Sequence, residues 1–89
     1  MAQVYVPAQM RACTNQQAVV EAHGHNVREL IADLDRQFPG LGERLRGADA
    51  LRPGLAVVIN GDYGSRGLLQ PVPENAEVHF LPAIALRHR

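Results

Sequence analysis

The chain contains no lysine; all nine of its basic residues are arginine. Its body therefore offers no internal amine for isopeptide attachment, only the N-terminal one, and a base composition that favours arginine codons accounts for the bias without selection. There is one cysteine, Cys13, which excludes an internal disulfide and a cysteine-rich zinc site and fits a reducing compartment. Net charge is zero with neutral histidines, so no overall attraction to nucleic acid or an anionic membrane is expected. No apolar run approaches membrane-spanning length, and "MAQVYVPAQM" lacks the basic stretch and long apolar segment of a secretory signal. These absences predict a cytoplasmic protein with neither nucleic-acid nor membrane partners.

What is present is a hydrophobic fraction of 46% in 89 residues, enough for one packed domain and too little for two cores. "QVYVPA" alternates Val4 and Val6 with Gln3 and Tyr5, as a half-buried strand does. "QAVVEAH" reads as a second strand, with the polar "CTNQQ" as the turn of a hairpin. Val27, Leu30, Ile31, Leu34 and Phe38 then recur at helical spacing. Asn26 and Glu29 form a capping-box-like start and Pro39-Gly40 a stop. A glycine-rich stretch follows, with one short helical turn predicted over Glu43 to Leu45. "LAVVIN" reads as a strand buried on both faces. The long connection "NGDYGSRGLLQPVPENAE" opens on the tight-turn dipeptide Asn60-Gly61, and "EVHFLPAI" is the last strand.

Pattern alone gives a small α+β domain. One main helix laid across a small mixed sheet is the ubiquitin-like β-grasp arrangement, with an expected core of Val4, Val6, Val20, Leu30, Ile31, Leu34, Phe38, Val57, Ile59 and Val78. Residues 1–85 form this domain, and Leu86 to Arg89 are expected to be a flexible tail.

Chemistry-bearing residues are few. His23 and His25 stand at i and i+2, where His79 or His88 would have to join them for a metal site. Gly24 and the helix cap argue for a turn, and a closed zinc site needs four converging ligands. Cys13 has no histidine or acid placed beside it as a nucleophile would need. "NGDYGSRG" lacks the lysine and the strand–helix setting of a phosphate loop. Arg11, Glu29 and Asp33 read as ordinary surface charge. No cofactor is implied, and no catalytic residue is assigned.

Three longer stretches carry more: "VPAQMRACT", "NVRELIADLDRQFPGLGERL" and "VVINGDYGSRGLLQPVPENAEVHFLPAIA". Together, over about residues 3 to 85, they resemble the sulfur-carrier family of β-grasp proteins. That family includes the molybdopterin synthase small subunit, the thiamine-pathway carrier and a cysteine-forming variant. The resemblance implies a protein that is not itself an enzyme. Such a carrier has its C-terminus adenylated and then thiocarboxylated by an activating enzyme, and it docks on a synthase-type partner through its sheet and tail.

The family's tail typically ends in Gly-Gly, which threads a channel too narrow for side chains. Aligned on "PAIA", this sequence has Leu86 and Arg87 at those positions, followed by His88 and Arg89; its last glycine is Gly67. The resemblance with this degenerate end predicts a small accessory protein that keeps the docking body but not the usual carrier chemistry. The alternative is an active sulfur carrier of the molybdopterin, thiamine or cysteine branch. Partner contacts are expected from the outward-facing Tyr5, Val58, His79 and Leu81, and from Pro82, Ala83, Ile84, Ala85, Leu86, Arg87, His88 and Arg89. The partner is an activating enzyme or a synthase-type large subunit, or else a second copy of the chain.

Overall fold

Asn26 starts the one long helix, α1 (Val27–Gln37), in a computed structural model that describes residues 1–86. Its Oδ1 accepts the N–H of Glu29 at 2.8 Å. Glu29 reaches back, but to the N–H of His25 (2.9 Å), one residue ahead of the cap. Val27, Leu30, Ile31 and Leu34 are fully buried, the stripe that helical spacing predicts. The turn into the helix needs Gly24, because a Cβ there would lie 2.4 Å from the Leu30 amide nitrogen. At the other end Phe38 caps the helix and is only half buried, unlike its predicted core neighbours. It sits where the chain turns away through Pro39 and Gly40 (φ 98°), outside the stripe's centre. Asp35 Oδ1 accepts the N–H groups of Gly40 and Gly42 at 3.0 and 2.9 Å and so fixes the junction with α2 (Leu41–Leu45).

Beneath α1 lies a mixed sheet of β1 (Ala2–Tyr5), β2 (Val19–Ala22), β3 (Leu55–Ile59), β4 (Asp62–Tyr63) and β5 (Glu77–Pro82). Their order is β2-β1-β5-β3-β4, with β1 and β5 parallel and every other pair antiparallel. This is the ubiquitin-like β-grasp arrangement. The predicted β1–β2 pairing is present, but the link between them is no short turn at Cys13–Gln17. Ala8–Thr14 form a 3-10 segment that packs Met10 and Cys13 against the core, apolar surface that an open turn would expose to water.

Asn60 and Gly61 (φ 51° and 86°) make the two-residue turn between β3 and β4. The rest of the long connection is more ordered than its turn residues suggest. It holds a 3-10 segment, Gly67–Leu69, and contributes Leu68, Val72 and Ala76 to the core. β3 is not buried evenly on both faces: Ala56 and Val57 are buried, whereas Val58 is half exposed. The last strand ends at Pro82, and Ala83–Leu86 turn into a 3-10 segment. The expected flexible tail thus begins inside that segment at Leu86, and Arg87 to Arg89 lie outside the described residues.

Candidate protein-docking face

Alternation along each strand sends one set of side chains to α1 and the other to the opposite face of the sheet. Because directly paired residues share a face, the register can be read across the sheet. Val19 pairs with Tyr5, Tyr5 with His79, His79 with Val58, and Val58 with Tyr63. One continuous row, Val19–Tyr5–His79–Val58–Tyr63, therefore crosses all five strands on the side away from α1. Its ends are open, with Val19 42% and Tyr63 62% exposed, and its middle three residues are half buried. Leu81, half buried, lies beside Ala56 one step nearer the C-terminal end of β5. Ala56 is buried yet stands apart from the main core cluster, as expected of a small residue shielded on the outer face.

Tyr5 and His79 stack with ring centroids 4.2 Å apart and planes 6° from parallel. His79 Nε2 lies 2.8 Å from Glu77 Oε2. An ionised carboxylate only accepts, so Nε2 must carry the proton. The imidazole is thus held in the middle of the row by a ring on one strand and a carboxylate on its own. The neighbouring row runs Glu21–Gln3–Glu77, so the apolar row has an acidic border on one side.

The free edge of β2 is partly occupied at its C-terminal end. Gln37 Nε2 donates to the Glu21 carbonyl (2.9 Å), and Asp33 Oδ2 accepts the His23 N–H (2.9 Å), so α1 side chains occupy groups that an added strand would use. The opposite edge, β4, is two residues long. Asp33 also accepts from Gln37 and pairs with Arg36. Burial pushes its carboxyl up, but the hydrogen bonds from His23, Arg36 and Gln37 and the Arg36 charge outweigh that and hold it below its ordinary value. Asp33 is therefore a structural anchor rather than ordinary surface charge, and Glu29 likewise ties down the turn at His25. The role of Asp33 does not show in the sequence, since it depends on a backbone group ten residues away that the fold brings close, whereas that of Glu29 is the expected capping box shifted by one residue.

The structure brings Tyr5, Val58, His79 and Leu81 onto one face. Pro82 pairs with Leu55 instead, and Ala83 donates its N–H to the Gly54 carbonyl (2.7 Å), which fixes where the chain leaves the sheet. Ile84 is 60% exposed, and Ala85 and Leu86 complete the 3-10 segment. Arg87, His88 and Arg89 fall outside the described residues. Val19 and Tyr63 were missed. Val19 alternates with the buried Val20 in a strand legible in the sequence, so its period would have found it. Tyr63 lies two places past the Asn60-Gly61 turn in a stretch that reads as a connection, and would have been found only by extending the hairpin beyond that turn. His23 and His25 are exposed, and no group of three or more His, Cys, Asp or Glu residues suited to a metal occurs among the described residues. Cys13 is half buried against the core. No helix among the described residues is long and apolar enough to cross a membrane.

A β-grasp body with a largely apolar outer sheet face and a C-terminal segment leaving beside it defines a protein of the ubiquitin-like class. Comparison with known proteins makes this specific: a model of the ThiS family matches residues 4–85, and the chain belongs to that family. The chain is similar to one in the crystal structure of the Amycolatopsis orientalis BexX/CysO complex (28% identity, TM-score 0.87, 92% of this chain and 94% of that one covered). It is also similar to Mycobacterium tuberculosis CysO, described as an antigen (26% identity, TM-score 0.84, 92% and 98% covered). Small archaeal modifier protein 1 from Methanosarcina acetivorans shares the fold at 20% identity (TM-score 0.73, 91% and 90% covered). No curated protein sequence matches at a significant level.

Proposed function

We propose that this protein is a cytoplasmic, non-catalytic accessory of sulfur-carrier type that docks on a partner enzyme through the outer sheet face and the C-terminal segment. The observation that carries the reading is the largely apolar row across all five strands, with Leu81 next to it on β5 towards the segment through which the family acts. Apolar surface of this kind on so small a domain favours a protein interface. The BexX/CysO complex supports a protein partner for a close structural relative.

The test is affinity for a sulfur-carrier activating enzyme, measured by calorimetry with the wild type and Val58→Glu. A charge in the centre of the row abolishes measurable binding while leaving the fold intact; unchanged affinity removes the face from the interface. If the variant instead abolishes a concentration-dependent dimer seen by sedimentation, the face belongs to a second copy of the chain.

Membership of the ThiS family favours a second reading, that of an active carrier. Leu86 and Arg87 occupy the positions that the resemblance gives to Gly-Gly, and their side chains oppose entry into a channel shaped for none. Incubation with ATP, a sulfur donor and the activating enzyme, followed by intact mass, separates the two. Exchange of one oxygen for sulfur at the C-terminus establishes the carrier; no adenylate or thiocarboxylate leaves the docking role alone. Appending Gly-Gly after Ala85 is the positive control.

A further inference from the structure

A second surface lies at the same end of the sheet, on the side of α1. There an open groove of about 370 Å3 runs between the first 3-10 segment, α2 and the start of β3. Half-buried Met10 and Leu55 give it an apolar floor, with Pro53 and Pro82 beside them. Arg44 and Arg52 also line it, both exposed. Arg52 is held in place by its Nε, which donates to the Glu43 carbonyl at 2.7 Å, and neither arginine forms an ion pair among the described residues. Glu43 is the one acidic side chain in the lining, set against two guanidinium groups. The bond from the Ala83 N–H to the Gly54 carbonyl pins the departing chain to the groove's rim, and the next charged residues in the sequence are Arg87 and Arg89.

We infer that this groove receives an acidic segment of the partner protein, one that alternates carboxylates with aliphatic side chains, at the mouth that accepts the C-terminal segment. The inference rests on the docking reading above and adds the chemistry of the partner's lip. Guanidinium groups recognise carboxylates in a bidentate, planar manner. The apolar floor takes an aliphatic side chain, which favours a peptide over a free phosphate, since the latter has nothing to place on Met10 and Leu55. Because the whole chain has no net charge, the attraction is local, acts within about a Debye length and weakens with salt.

The test is a titration of the full, isotopically labelled chain with a capped Glu-Leu-Asp-Glu-Leu-Glu peptide, followed by backbone amide shifts. The expected result is shifts at Met10, Arg44, Gly54 and Leu55 that salt suppresses, with none at Val58 or His79. The double variant Arg44→Glu/Arg52→Glu, shown by its spectrum to be folded, should bind about tenfold more weakly or less. If charge reversal unfolds the chain, the Arg44→Gln/Arg52→Gln pair takes its place. An equal response to inorganic phosphate or to a Gln-Leu-Asn peptide overturns the inference, as does no response or an unaffected variant. Docking on the sheet is read separately from Val58→Glu against the activating enzyme, so the groove can fail while the face stands.

Discussion

The two faces of the sheet share some residue types but have different fates: the helix side is apolar throughout, whereas the outer face mixes apolar side chains with His79 and a border of Glu21, Gln3 and Glu77. On β3, Val57 and Val58 are chemically identical neighbours; Val57 is buried under α1 and Val58 is half exposed. On β5, Val78 and Phe80 face the helix while His79 and Leu81 face away. Among the described residues the covering layer is on one side, so apolar residues there hold the fold together, and those on the other side contribute less to it. Apolar residues that the fold does not need are the physical basis for reading the outer face as an interface.

The largest effect is expected at the helix side. Leu30 is fully buried and lies over Gly24, so Leu30→Ala should cost about 3 kcal/mol, measured by denaturant unfolding. For a domain this small that is a large share of its total stability. A small cost would mean that α1 packs loosely and that the two faces differ less than their burial indicates.

The matched pair on β3 is sharper, because only direction differs. Val57→Ala should cost about 2 kcal/mol through lost burial and a cavity, and Val58→Ala about 0.5 kcal/mol. Equal losses in thermal or denaturant unfolding would show that both faces carry core weight, and would take away the argument for a free docking face.

Asp33 tests how α1 is tied to the edge of the sheet. Asp33→Ala leaves the His23 N–H without its acceptor and takes one of two from Gln37, which keeps the Glu21 carbonyl, and should cost about 1 kcal/mol at neutral pH. The native carboxyl titrates below its ordinary value of 3.8, so its contribution is complete above that value and is lost as the pH falls through the lower native one. The wild type and variant should therefore converge in stability on acidification below about pH 4. A difference independent of pH would assign the effect to packing alone.

The sequence made the helix, the β1–β2 pairing, the Asn60-Gly61 turn and most of the core legible, because each has a local signature in periodicity, capping or turn chemistry. Nine of the ten predicted core residues are buried, and the exception, Phe38, stands at the helix end where the chain changes direction. What the sequence concealed depends on distant chain. Leu68 and Val72 look like loop residues among glycines and prolines, yet both are buried in the core cluster. Asp33 looks like solvated charge until the fold brings the His23 amide to it. Four of the outer-face residues were legible from strand alternation, and the resemblance gave them a role that alternation alone does not. The row they form needed the register of all five strands.

The smallest effect on stability, and the most informative for the face, belongs to Tyr63. It stands 62% exposed at the end of the row on a two-residue strand, so Tyr63→Ala should change unfolding stability by no more than about 0.5 kcal/mol. If the partner covers the whole row, removing this aromatic should weaken binding about tenfold, as truncated aromatic anchors do. If the partner touches only the part near the C-terminal segment, Leu81→Ala weakens binding and Tyr63→Ala does not. The two affinities, measured side by side by calorimetry, decide whether the interface spans all five strands or only the strands beside the departing chain. Loss in both variants at unchanged stability would separate the outer face from the core in the strictest way, since residues that hold nothing together would then account for the binding.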